Sequence, residues 1–289
     1  MYTVLFHRYD RLGCNLINYI AQIIYAHYNG YYIKFIDNKY NYPKYPNSHY
    51  YKILLNYINN VLNVNNDTQN CYHLGCYDDE ILYDINKYDI QLFCGFVTQT
   101  IKCDLLSYFH KHIYNDLDFK ELNDYYNDVN YDFNNSIFCH LRLDDVSHKT
   151  DYDGSICSRY YKLLLENNKK CHNKFYDFVN NHSPLSKEKI NIMINDAKNI
   201  YPNNKLYMVT SPISNTEYNQ YEIISNSDVD KDLFILCNSK RSILSRSMYA
   251  LTSLFFSKPK EYCYLPSWGF FVVCGLNTKY DNNNFKYIY

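Results

Sequence analysis

Thr3-Val-Leu-Phe6, Asp10-Arg-Leu-Gly13, Asn15-Leu-Ile-Asn-Tyr-Ile-Ala-Gln-Ile-Ile-Tyr-Ala-His27, Asn29-Gly30 and Tyr31-Tyr-Ile-Lys-Phe-Ile36 follow one another at the start of the chain. The first is a short apolar run and the second a break that carries a glycine. In the third, Leu16, Ile20, Ile23, Ile24 and His27 recur every three or four residues, the period of a helix with one buried face. Asn29-Gly30 stops that helix, and the aromatic and β-branched run after it reads as a strand. The chain therefore opens strand, glycine turn, helix, strand, which is a βαβ unit. Its glycine turn falls at the carboxyl end of the first strand, where α/β proteins gather their ligands.

The second half repeats the alternation. Ser136-Ile-Phe-Cys-His-Leu141 reads as a strand running straight into Arg142-Leu-Asp-Asp145. Ile190, Met193, Ile194 and Ala197 mark an amphipathic helix, and Lys205-Leu-Tyr-Met-Val-Thr210 a buried strand ending at Ser211-Pro212. A helix over 230–239, a short strand at Ser242-Ile-Leu244, a helix over 248–256 and a strand over 261–265 complete the pattern. Residues 121–135 are polar and aperiodic and read as a connection between domains. Alternating strands and helices imply parallel sheets covered on both faces. The expectation is an α/β protein of two facing Rossmann-like domains, 1–128 and 129–289.

Composition narrows the function classes. The chain has 289 residues, 47% hydrophobic, which suffices to bury a large core and excludes wholesale disorder. Its 29 basic and 30 acidic side chains give a net charge of -1, so the positive field that phosphate-backbone binding needs is missing. A nucleic-acid role ranks last. The 36 tyrosines and the asparagine runs are explained by AT-rich coding, as in a protist or a giant virus, better than by tyrosine chemistry. Eleven scattered cysteines lack the paired spacing of a zinc site and several sit in apolar runs, so free thiols in a reducing compartment are expected. No basic leader opens the sequence and no apolar run approaches the roughly 20 residues of a membrane span. The expected location is the cytoplasm, the host's if the source is viral.

Three stretches carry chemistry. In His140-Leu-Arg142-Leu-Asp-Asp145, an arginine leaves a strand with His140 and Asp145 placed to orient it. A fixed guanidinium there neutralises a diphosphate leaving group as its charge develops; the plainer reading is an Arg–Asp ion pair. In Arg11-Leu-Gly13-Cys-Asn15, the glycine admits a ligand close to backbone before a helix N-terminus, or Asn15 simply caps that helix. In Asp228-Val-Asp230-Lys-Asp232 and Ile243-Leu-Ser245-Arg-Ser247, acidic and hydroxyl residues open two helices. Ser247 there can donate to phosphate, or the same residues serve as caps.

Taken in this order, these elements resemble the α-1,2-fucosyltransferases and their O-fucosyltransferase cousins. Asp10-Arg-Leu-Gly13-Cys-Asn15 is similar to that family's G-R-L-G-N-Q turn with one residue inserted. His140, Arg142 and Asp145 match its H-x-R-R-G-D signature, with Leu143 and Asp144 in place of the second arginine and the glycine. Asp232-Leu-Phe-Ile-Leu-Cys237 and the Ser245–Ser247 turn resemble its later D-L-x-L-M block and the serine-rich segment that follows. Gly95-Phe-Val-Thr-Gln99 is similar to its G-Y-x-Q segment, and Pro266-Ser-Trp268 to its strand-ending tryptophan.

The resemblance implies a GT-B fold, inverting transfer from a GDP-sugar to a glycan hydroxyl, and no essential metal or other cofactor. It implies that Arg142 holds the diphosphate with His140 in support and that Ser247 contacts phosphate. Gly13 and Asn15 shape the cleft floor, and Asp145, Ser211, Asp232 and Ser245 complete the donor site. Asp10 is the expected catalytic base, with His7 as the alternative. The missing second arginine and tryptophan pair leave the donor sugar open. Two other readings stand beside this one. One is a metal-dependent GT-A transferase using Asp228 and Asp230 as a D-x-D pair. The other is a non-catalytic glycan- or nucleotide-binding protein that keeps the fold.

Overall fold

The computed structural model describes residues 2–5, 12–35, 45–62, 90–142, 185, 187–210, 218–226, 228–266 and 285–288. It is an α/β structure with parallel sheets. The described residues fall into two compact units, one within Met1–Asp128 and the other within Val129–Gly269 and Tyr280–Tyr289.

In the first unit, β1 (Tyr2–Leu5) pairs in parallel with β2 (Tyr32–Phe35) through α1 (Leu12–Asn29). Thirteen of the eighteen α1 residues are buried, because α1 is wrapped on several sides. It packs on both strands and on α2 (His49–Tyr57), α3 (Ile90–Ile101) and α4 (Leu105–His112). The helix ends as the sequence predicts. Gly30 takes φ +64°, and Tyr31 N–H donates to the Ala26 carbonyl at 2.8 Å, closing the last turn. Ser48 caps α2 and Asp104 caps α4, the latter accepting from Ser107 N at 2.6 Å. The helix begins earlier than expected. Gly13 and Asn15 lie inside its first turns, so Gly13 is helical rather than part of a turn and Asn15 is not the cap. The 121–135 stretch is also only partly a connection. Its first residues belong to α5 (Lys120–Tyr125), held down by buried Leu122 and Tyr126.

The second unit is built on six parallel strands: β3 (Ser136–His140), β4 (Lys205–Val209), β5 (Glu222–Ile224), β6 (Arg241–Ile243), β7 (Tyr262–Pro266) and β8 (Phe285–Ile288). Their order across the sheet is β5-β4-β3-β6-β7-β8. Counted from β3 as first, that is 3-2-1-4-5-6, the doubly wound order of dinucleotide-binding folds. The crossovers contain α6 (Lys187–Ile200), α7 (Val229–Asn238) and α8 (Met248–Phe255).

All five β3 residues are buried, as a central parallel strand covered on both faces requires. Ile137, Cys139 and Leu141 join Leu206, Met208, Ile243 and Tyr264 in a core sealed by Ile190, Met193, Ile194 and Ala197 of α6. On the other face Phe138 stacks on its cross-strand partner Tyr207, centroids 5.1 Å apart and planes 12° from parallel, with Tyr131 and Phe133 around them.

The amino end of the sheet is closed by two cations. Arg241 grips both oxygens of Glu261 at 2.8 and 2.7 Å, bonds the Asn134 carbonyl and lies over the Tyr201 ring at 4.4 Å. Lys260 is buried and donates to the Leu236 and Ser239 carbonyls, both at 2.8 Å, at the C-terminus of α7. The six described cysteines, at 14, 94, 103, 139, 237 and 263, are free thiols.

Phe138→Ala removes the fully buried ring at the centre of this packing. It is expected to lower stability by about 3–5 kcal/mol, whereas Ile192→Ala on the exposed face of α6 shifts it by about 0.5 kcal/mol or less. Urea midpoints at unchanged m-value measure both; equal effects would show that the aromatic stack does not carry the sheet.

Candidate functional site

A parallel sheet in this order has one place where neighbouring strands send their crossovers in opposite directions, and ligands of such folds collect at that opening. Here it lies between the carboxyl ends of β3 and β6. β3 ends in His140-Leu141-Arg142, and β6 runs into Leu244-Ser245-Arg246-Ser247, the turn that starts α8. The ladder continues past both formal ends. Leu141 N–H donates to Val209 O at 2.8 Å and Leu244 N–H to Tyr264 O at 2.9 Å.

Alternation along β3 sends His140 to the face opposite the α6 core. There its ring stacks on Tyr249 of α8, 5.7 Å between centroids, and its Nδ1 lies 2.6 Å from Ser245 Oγ. Burial, reinforced by the adjacent Arg142 charge, pushes the His140 pKa down to about 3. The ring is neutral at physiological pH. With Ser245 donating to Nδ1, the ring proton resides on Nε2. A serine–histidine pair at this distance is also the spacing of a nucleophile and its base. Here both residues are buried, and the imidazole holds protons far too weakly for a base working near pH 7. The pair supports the strand exit rather than attacking a substrate.

Arg142 reaches across the opening, its Nη1 donating to the Arg246 carbonyl at 3.1 Å. Ser247 caps α8, accepting from Tyr249 N at 3.2 Å. The Tyr249 hydroxyl donates to the Val229 carbonyl, tying the start of α8 to the start of α7. Half-buried as a residue but with its hydroxyl desolvated near the carboxylates of α7, that phenol has its pKa driven well up and stays a donor. Asp228 caps α7, its Oδ1 accepting from Asp230 N at 3.0 Å and Lys231 N at 3.4 Å. Asp232, one turn on, is buried and accepts from Asn226 Nδ2. Burial raises its pKa to about 7, the Asp228 charge adding to the rise while the Asn226 bond and Lys231 oppose it.

The structure thus brings His140, Arg142, Ser245 and Ser247 together at the switch point, while the charge of Asp232 is felt by Tyr249 without a direct bond between them. Gly13 and Asn15 belong to α1 of the first unit. Gly95 and Gln99 lie within α3, and Pro266 is the last residue of β7. His7, Asp10, Asp145, Ser211 and Trp268 lie outside the described residues. Sequence reading missed Arg246 and Tyr249. The available signal was their position, since both belong to a strand-to-helix turn already singled out for its serines.

Among the described residues no helix is long and apolar enough to cross a membrane, and no three His, Cys, Asp or Glu side chains gather as metal ligands do. No family model, curated protein or solved structure matches this chain. The strand order defines a doubly wound α/β arrangement with Arg142 at the switch point of its sheet.

The two perturbed groups give opposite pH slopes. His140 is neutral in the fold but protonates in the unfolded chain below about 6.5, so its contribution is lost as pH falls from about 6.5 towards 3. Asp232 holds its proton in the fold up to about 7, so its contribution is full below the ordinary aspartate value of 3.8 and lost as pH rises through about 7. Asp232→Asn keeps the acceptor for Asn226 and removes only the second slope. Relative to wild type, the variant is expected to gain more than about 1 kcal/mol between pH 5 and pH 8 in urea melts. A relative loss over that interval would mean that the carboxylate is stabilised in place.

Proposed function

We propose that this chain is an inverting glycosyltransferase of GT-B type that moves a sugar from a GDP-linked donor to a glycan hydroxyl. The family resemblance favours fucose as that sugar. Residues 129–289 hold the donor, and residues 1–128 form the acceptor side as a second, facing Rossmann-like domain. The observation that carries the reading is Arg142 at the switch point of a 3-2-1-4-5-6 sheet, with neutral His140 beside it.

In such a transfer the glycosidic bond breaks as the acceptor oxygen attacks from the opposite face, and negative charge accumulates on the departing diphosphate. A guanidinium fixed at that position stabilises the transition state more than the ground state. The hydroxyl of Ser247 and the N-terminus of α8 add donors of the same sense. His140, being neutral, supplies a directed N–H without a second charge. The acceptor proton goes to a carboxylate, with Asp10 as the assigned base. The leaving group's charge is met by arginine, so the reading needs no metal. Asp228 supports this choice over a D-x-D cation site, because its carboxylate is already engaged by two backbone N–H groups. A cytoplasmic location, the host's for a viral source, accompanies the reading.

Calorimetry with GDP, UDP and GDP-fucose, with and without EDTA, tests it on wild type and Arg142→Ala. GDP-selective, metal-independent binding is expected, weakened about 10- to 100-fold in the variant, as for loss of a charged hydrogen-bond donor. Binding of UDP alone and only with Mn²⁺ would replace this reading with the Asp228/Asp230 site. Donor binding without any turnover or slow donor hydrolysis would reduce the protein to a non-catalytic binder.

A further inference from the structure

Three hydrogen-bond donors at the amino end of the second unit's sheet are buried and make no hydrogen bond. They are Arg241 Nε, Asn204 Nδ2 and the Tyr262 hydroxyl. Folded proteins carry few buried polar atoms of this kind, and each one calls for a physical account.

One residue gathers all three. Tyr201, in the turn after α6, has the Arg241 guanidinium over its ring at 4.4 Å and meets the Tyr262 ring edge-on, 5.6 Å between centroids. Its carbonyl accepts from Asn204 N–H at 3.2 Å. Arg241 and Tyr262 are register partners on β6 and β7. Tyr262 and Ile243 belong to the core under α6, and alternation sends Arg241, two residues before Ile243, to that same face.

The trio suits an acceptor that has no proton of its own to place. Guanidinium and carboxamide N–H groups only donate. Burial, with Tyr264 and Asp196 nearby, drives the Tyr262 pKa up, so its hydroxyl keeps its proton. A water molecule brings two hydrogens that need acceptors, and within the trio only the phenol oxygen is one. The charge has the right sign for an anion. The Arg241 side chain is 10% exposed and its partner Glu261 45%, so solvent screens the carboxylate far more than the cation. Lys198 donates to the Asn204 carbonyl and adds positive charge beside it, while Asp196 accepts from Tyr264 at 3.3 Å.

We propose that Arg241, Asn204 and Tyr262 form a binding site for one small inorganic anion of chloride size, covered by Tyr201. The ion ties the turn between α6 and β4 to the starts of β6 and β7. The site lies at the end of the sheet away from the switch point and is independent of the donor reading.

The test compares chloride with methanesulfonate at fixed ionic strength, in urea melts of wild type, Tyr262→Phe, Asn204→Asp and Tyr264→Phe. Bromide anomalous scattering in wild-type crystals locates the ion. Chloride is expected to stabilise wild type saturably relative to methanesulfonate. Tyr262→Phe should weaken the apparent chloride affinity about fivefold or more. Asn204→Asp, which places a carboxylate at the site, should abolish the chloride dependence. Tyr264→Phe removes a phenol of the same strand outside the trio and should keep it. The bromide peak is expected within hydrogen-bond reach of all three donors.

Equal stability of wild type in the two salts would overturn the inference, as would a water molecule in place of bromide. A loss of chloride affinity in Tyr264→Phe equal to that in Tyr262→Phe would do the same. A bromide peak without any chloride dependence in solution would mark binding at crystal concentration only, and the inference would fall. Should Tyr262→Phe not fold, Asn204→Asp decides: chloride dependence unchanged in that variant removes the site.

Discussion

Parallel pairing of β3 on both of its edges is the constraint from which the second unit follows. A strand flanked by parallel neighbours cannot be reached from either by a hairpin, so the chain must cross a face of the sheet each time it returns. It goes by way of α6 to β4 on one side, and β6 is paired on the other before α8 leads away to β7. Covering both faces buries β3 completely, and the Phe138–Tyr207 stack and the Ile137–Cys139–Leu141 row are the two halves of that cover. The same geometry draws two connections apart at the carboxyl end. The opening beside His140 is thus a by-product of how the core is enclosed.

The two ends of the sheet use polar groups differently. At the amino end, Arg241 is engaged by Glu261, Asn134 and Tyr201, and Lys260 by carbonyls of α7. These contacts bind elements distant in sequence and leave the cations committed to the fold. At the carboxyl end, polar groups brace one another: His140 with Ser245, Tyr249 with Val229, Asn226 with Asp232. The bracing fixes side chains on three different connections relative to one another.

Much of the second unit was legible because its elements carry strong local patterns. Strands such as Lys205-Leu-Tyr-Met-Val are continuous apolar runs, and the helix from Val229 follows an acidic cap. The Asn29-Gly30 stop was legible for a stereochemical reason, since Gly30 takes a left-handed conformation that other residues resist. β5 and β8 escaped notice. Glu222-Ile-Ile is three residues long, and Phe285-Lys-Tyr-Ile follows an asparagine run, so sheet pairing rather than local preference makes them strands. Gly13 was misread because a glycine after an apolar run suggests a turn, whereas here α1 starts at or before Leu12. Strand order is a long-range property that no window of sequence contains. The meeting of Arg142 with the Arg246 turn, 104 residues apart, was therefore invisible even though both residues lay in stretches already singled out.

Lys260 has a further consequence for how this protein meets reactive small molecules. Its amine is buried, its proton affinity is reduced by that burial, and its three hydrogens face carbonyl and hydroxyl oxygens of the α7 C-terminus. Such an amine is chemically ready for acylation once deprotonated but sterically out of reach. Acylating reagents therefore meet it only when the segment leading into β7 parts from α7. In a chain rich in exposed lysines, its labelling rate reports the opening of this joint, a built-in clock for how often the sheet's closed end comes apart.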